Sequence, residues 1–132
     1  MLHKVFPDKE KAKSILNMAI DREKFISSVK LDYPSIIAEN YYEIIKELSS
    51  ALLLLNGLKA IGENSYKEIL DSLNKYSNLD DFYISVLQDL RIKRNKSLYE
   101  GKQIDSSYLE SKRKIILEII DKLKKIVEDK LK

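Results

Sequence analysis

Residues 35–58 read SIIAENYYEIIKELSSALLLLNGL, and this stretch decides the fold. Ile37, Tyr41, Ile44/Ile45, Leu48, Ala51/Leu52 and Leu55 recur at three- and four-residue spacing, the period of one helix face. Its last part, Leu52 to Leu55, is apolar all round. A helix without a polar face has to be covered on more than one side. The segment is therefore expected to form the centre of the core, with its apolar end open to extension by a partner subunit. Gly57 and Gly62 bracket that end, as C-terminal punctuation of a helix does.

Working outward, Leu31-Asp32-Tyr33-Pro34 is a break, and Pro34 suits the first turn of the helix it precedes. Before it, Pro7-Asp8 opens a first helix with Asp8 as its N-cap. Ile15, Met18/Ala19, Arg22, Ile26 and Val29 form the inner stripe, and the helix is expected to end near Lys30. After the central segment, Asn64-Ser65 caps a short helix over about 65–75, with Tyr66, Ile69, Leu70 and Leu73 inward. Ser77-Asn78 breaks it, and Asp80 or Asp81 caps a fourth helix over about 81–99 that Gly101 ends. The last helix starts near Asp105, where Ser107 and Glu110 have capping-box spacing. No stretch shows strand alternation over a useful length. The expected architecture is all-α: a single compact domain, 1–132, of about five antiparallel up-and-down helices.

Composition agrees and narrows the chemistry. The chain has 132 residues, 44% hydrophobic and 34% charged, which suits one globular domain with a sizeable core. Three glycines and two prolines disfavour a turn-rich sandwich or a glycine phosphate loop. With no cysteine there is no disulfide framework and no thiolate chemistry. One histidine, His3, lies in a terminus expected to fray. Neither a leader segment nor a membrane span is visible, so a cytoplasmic protein is expected. Glu39, Glu43 and Glu47 recur every four residues but lack a Glu-x-x-His pair, so the ladder is read as a solvated face. No metal and no cofactor is expected.

The net charge of +3 says little, but its placement says more. Residues 91–102 carry five bases against one acid, and residues 112–132 eight against four. Lysine is the habitual cation, twenty against four arginines: Arg22, Arg91, Arg94 and Arg113. Two arginines three residues apart on the fourth helix therefore point to a need for the guanidinium fork, which lysine does not supply. At roughly 100° per residue, Arg91, Arg94, Asn95 and Leu98 share one strip, and Tyr99 lies one turn beyond Asn95. The strip continues the apolar face of Tyr83, Val86/Leu87 and Leu90, which thus turns polar midway. Arg91, Arg94 and Lys96 are the candidate phosphate-binding residues, with Arg94, Asn95 and Tyr99 as candidate catalytic groups. The alternative is a polar core edge in which the arginines pair with Asp89, Glu100 or acids of another helix.

The segment Arg91-Ile92-Lys93-Arg94-Asn95-Lys96-Ser97-Leu98-Tyr99 resembles the signature of HEPN domains, in which Arg-Asn is followed a few residues on by histidine. Tyr41-Tyr42-Glu43 and Leu54-Leu55-Asn56-Gly57-Leu58-Lys59 are also similar to that family, as is the order of helices. The resemblance implies that Arg94 binds phosphate, that Asn95 helps to hold the site, and that the site acts on RNA or a nucleotide. It further implies a homodimer joined through the motif helices, and a toxin–antitoxin or defence pair in which a nucleotidyltransferase is the partner. Tyr99 stands where the histidine would be. A phenol with a pKa near 10 is a poor base at neutral pH, so binding is expected ahead of catalysis. A metal-independent endoribonuclease and a non-catalytic helical adaptor are the two other readings.

Overall fold

In the computed structural model, which describes residues 1–30 and 32–132, the elements run β1 (Leu2–Lys4), α1 (Lys9–Ser27), α2 (Pro34–Leu55), β2 (Leu58–Ala60), α3 (Ser65–Tyr76), α4 (Asp81–Glu100) and α5 (Ser106–Leu131). The all-α bundle read from the sequence is the observed fold class. Helix α2 packs against each of the other four helices. Ile37, Leu48, Leu52 and Leu53 of α2 are fully buried, and Leu54 nearly so. The apolar end of α2 is thus covered within one chain, and the expected extension of the core by a partner is not needed there. It is closed by α1 on one side and by α3 and the β2 strand on others, which is why four consecutive leucines are tolerated.

Helix termini follow local chemistry. Asp8 accepts from Lys11 N at 3.0 Å, and Asp80 accepts from Tyr83 N at 3.1 Å. Gly101 ends α4 in the left-handed conformation at φ 68°. At α5 the cap is Asp105, whose carboxylate accepts from Tyr108 N at 2.9 Å and from Ser107 Oγ at 2.8 Å. The Ser107–Glu110 capping box is therefore not formed, because the carboxylate two residues earlier already occupies the first-turn donors. Asn64 precedes α3 without a side-chain cap bond. The expected break over residues 31–34 falls partly on Leu31, which lies outside the described residues.

The expectation of no strands fails at the N-terminus. Leu2–Lys4 pairs antiparallel with Leu58–Ala60, with His3 opposite Lys59, so the terminus bearing His3 is pinned and not frayed. The Met1 amino group donates to Ile61 O at 3.1 Å and pairs with Glu68. Two strands of three residues, more than fifty positions apart, carry no alternation long enough to detect. They also shorten α2, which ends at Leu55 instead of Leu58. Gly57 makes the turn possible: it has φ 72°, its carbonyl accepts from Val5 N at 2.8 Å, and a Cβ there would lie 2.9 Å from Val5 O. Two residues expected inward also face solvent, Met18 and Tyr66.

Candidate functional site

The fourth helix carries the candidate residues, and its upstream half explains where they lie. Leu87 and Leu90 are buried against the bundle, while Tyr83 donates from its hydroxyl to Glu118 of α5 at 2.7 Å. One turn further the same face meets the N-terminal half of α2, where the facing residues are Glu39, Tyr42 and Glu43. The change from apolar to basic along α4 therefore matches a change from apolar to acidic along α2.

Arg94 is the centre of that match. Its Nε donates to Glu39 Oε2 at 2.9 Å and Oε1 at 3.2 Å, and its Nη2 reaches Glu43 Oε1 at 3.5 Å. Its Nη1 donates to Asn95 Oδ1 at 3.3 Å. The guanidinium carbon stands 5.1 Å from the Tyr42 ring centroid, within cation–π range. Tyr42 meets Tyr66 edge-on at 6.3 Å. Lys46 closes the circuit, lying 4.4 Å from the Tyr66 centroid and donating to Glu43 Oε1 at 3.2 Å. The Arg94 side chain is only 13% exposed. Burial works against its charge, but the hydrogen bond and charge of Glu39, with Tyr42 and Glu43, outweigh that and hold its pKa above the ordinary value. Burial likewise pushes Tyr42 up to about 12, against the opposing pull of Arg94 and Arg91. Tyr42 is a neutral phenol at physiological pH.

The glutamate ladder of α2 is consequently not a solvated face. Glu39 and Glu43 hold Arg94, and Glu47 accepts from Arg22 Nε of α1 at 2.8 Å. Arg113 of α5 donates to Tyr41 Oη at 3.1 Å. Three of the four arginines thus clamp polar groups of α2 from three different helices. The preference for arginine over lysine did mark sites that need a fork, but the forks are answered inside the bundle. The acids that answer Arg94 are on another helix, as the alternative reading of the sequence anticipated, and are not Asp89 or Glu100.

Arg91 differs. Its Nε donates to Gln88 Oε1 at 2.7 Å, and Gln88 Nε2 in turn donates to Asp71 Oδ1 at 2.7 Å and to Lys67 O at 3.3 Å on α3. Gln88 orients the guanidinium, and among the described residues its two terminal nitrogens have no acceptor. Arg91 opens onto a hollow of about 220 Å³ lined also by Arg94, Asn95 and Tyr99 of α4, Tyr42 of α2, and Glu63, Asn64, Tyr66 and Lys67 around the start of α3. Tyr99 is 77% exposed at its edge.

Four of the five sequence candidates, Arg91, Arg94, Asn95 and Tyr99, therefore converge on one hollow. Lys96 does not, since it lines a separate hollow beside α5. Asn64, Tyr66 and Lys67 were missed, because no spacing rule links residues near 65 to residues near 95. His3 is not among the lining residues, so no imidazole faces Arg94 or Tyr99. Among the described residues no group of three or more histidines and carboxylates is placed to hold a metal ion. None of the described helices is long and apolar enough to cross a membrane. Compared with known proteins, the chain matches no family model, and no curated protein or solved structure gives a significant match.

Proposed function

We propose that this is a HEPN-like helical protein that binds a phosphate-bearing ligand, RNA or a nucleotide, in the hollow at the end of α4. The observation that carries the reading is Arg91. Its fork is held by Gln88, has no carboxylate within ion-pair distance among the described residues, and lines a space large enough for a phosphate or a base. Around it stand two amides, Asn64 and Asn95, and the rings of Tyr66 and Tyr99. Amides read base edges and aromatic rings stack on base faces, so the walls suit the organic part of a nucleotide. Arg94, committed to Glu39 and Glu43, serves here as a positioning residue. Binding is the role assigned to the site: Tyr99 is an exposed phenol without an imidazole beside it, and the carboxylates facing Arg94, Glu39 and Glu43, are engaged by its guanidinium.

The test is titration of the protein with adenosine monophosphate and with a single-stranded oligoribonucleotide, for wild type and Arg91→Ala. Loss of a charge-assisted contact worth about 1.5–3 kcal/mol should weaken binding roughly 10- to 100-fold, with Tm of the free protein unchanged. Affinity should fall as salt rises. Equal affinity of the two proteins at low salt would overturn the reading.

A homodimer joined along α4 belongs to the same proposal. Phe82 and Ile92 are both exposed on this helix and neither lines the hollow, and apolar exposure of that kind supports a second copy as its cover. Sedimentation equilibrium should then give twice the 15.4 kDa of the chain. A single-chain mass at high protein concentration removes the dimer without touching the ligand site.

A further inference from the structure

The basic residues near the end of α4 are divided between two flanks of the helix. At roughly 100° per residue, Arg91 and Asn95 lie on one side and Lys93 and Lys96 on nearly the opposite one. The second group lines a hollow of about 230 Å³ at the α4–α5 turn, together with Lys102, Gln103, Ile104, Asp105 and Tyr108. Its charges are largely unanswered. Among the described residues Lys93 and Lys96 have no carboxylate within ion-pair distance, and Lys102 reaches only Glu100 at 3.8 Å. Asp105, the one acid in the wall, is occupied by Tyr108 N and Ser107 Oγ as the helix cap. Those two bonds, with the nearby charge of Lys93, hold its carboxyl below the usual range.

The hollow is also built, not adventitious. Ile104 is buried, its N donates to Ser35 Oγ at 2.8 Å, and Ser35 Oγ donates back to Ile104 O at 3.3 Å, which fixes the turn to the first turn of α2. The Lys93 ammonium stands 5.1 Å from the Tyr108 ring centroid, so the ring forms one wall beneath a cation. By contrast, the other cations of the Arg91 hollow are already paired, Arg94 with Glu39 and Lys67 with Asp71 at 3.0 Å.

From this division we infer a second phosphate site, formed by Lys93, Lys96 and Lys102 at the α4–α5 turn, that acts on the same ligand as the Arg91 hollow. The inference rests on the proposed function above and sharpens it. A single phosphate cannot engage both flanks of a helix whose diameter is about 10–12 Å with side chains. The ligand is therefore a flexible chain of phosphates, of at least about three units at roughly 3.4 Å or more per phosphate. The ridge between the hollows carries Tyr99, three residues from Lys96, with its ring open to solvent. On an oligonucleotide that ring stacks a base as the strand crosses α4, whereas inorganic polyphosphate has no base to stack.

The experiment compares adenosine monophosphate, an oligoadenylate octamer and inorganic polyphosphate across wild type, Arg91→Ala, Tyr99→Ala and the double variant Lys93→Ser/Lys102→Ser. Both lysines are exposed, so the double variant should keep the wild-type Tm, which is measured alongside. The octamer should bind at least about tenfold tighter than the monophosphate. The double variant should remove that gain, lower the slope of log K against log salt by about 1.4, and leave monophosphate binding as it was. Tyr99→Ala should weaken the octamer but not polyphosphate if the chain is an oligonucleotide. Polyphosphate that matches the octamer in every protein identifies the bare phosphate chain as the ligand chemistry. An octamer that binds no tighter than the monophosphate, or a double variant that binds it as wild type does, overturns the second site. Monophosphate binding untouched by Arg91→Ala refutes the first hollow alone, and lysine-dependent polyphosphate binding would still support the second.

Discussion

Leu52→Ala is expected to lower stability by about 2–5 kcal/mol, the largest effect of any single truncation considered for this chain. Leu52 is fully buried on α2, the helix that every other helix packs against. Truncation removes three carbons, a methine and its two methyls, from a site whose neighbours belong to several elements, and these cannot all move inward together. A cavity term then adds to the lost transfer energy. Domains of this size are stable by only about 5–15 kcal/mol, so the variant sits near the edge of folding. Thermal unfolding followed by circular dichroism should show Tm lowered by roughly 10–20 °C. Leu98→Ala is the control: Leu98 is half exposed on α4 and its truncation should stay within about 0.5 kcal/mol. A Leu52 effect as small as the Leu98 effect would mean that α2 is not the centre of the core.

Arg94→Ala is the second large effect, and it separates structure from ligand binding. The substitution strips Glu39 and Glu43 of their fork and uncovers the Tyr42 ring. A fully buried pair broken on one side costs about 3–5 kcal/mol, and an exposed pair less than about 1. Glu39 is more than a third exposed and Glu43 a fifth, so the expected loss lies between, at about 1–3 kcal/mol. Arg94→Lys should recover little of it, because a point charge cannot address two carboxylates and a ring at once. A double-mutant cycle with Glu39→Gln should give a coupling of about 1 kcal/mol or more. Arg91→Ala, whose partner is the neutral Gln88, should leave stability within about 0.5 kcal/mol. If Arg94→Ala proved as silent as Arg91→Ala in the free protein, the guanidinium would be held for a ligand and not for the fold.

These two residues show how far local sequence reasoning reaches. The motif around Arg91 and Arg94 was legible because guanidinium forks are scarce in a lysine-rich chain. Helical spacing also correctly placed Arg91, Arg94, Asn95 and Tyr99 around one space. The same spacing could not separate the two arginines, since both lie on one strip. Their difference comes from what faces each: two glutamates of α2 for Arg94, and a glutamine on its own helix for Arg91. Lys96 was grouped with them by proximity along the chain, although one further rotation about the helix axis places it in the other hollow.

By itself the sequence determined the number and order of the helices, the caps at Asp8 and Gly101, and the central place of the segment read as 35–58. These depend on local dihedral preferences, on first-turn hydrogen bonds and on the period of apolar residues, all of which act over a few positions. Only the tertiary structure decided that Leu2–Lys4 and Leu58–Ala60 form a ribbon, that the α2 glutamates serve as counter-ions, and which cations remain open. Strand pairing and ion pairing depend on distances in space between residues tens of positions apart. No window along the chain contains both partners, so the charge a ligand would meet emerges only after the internal pairs have formed.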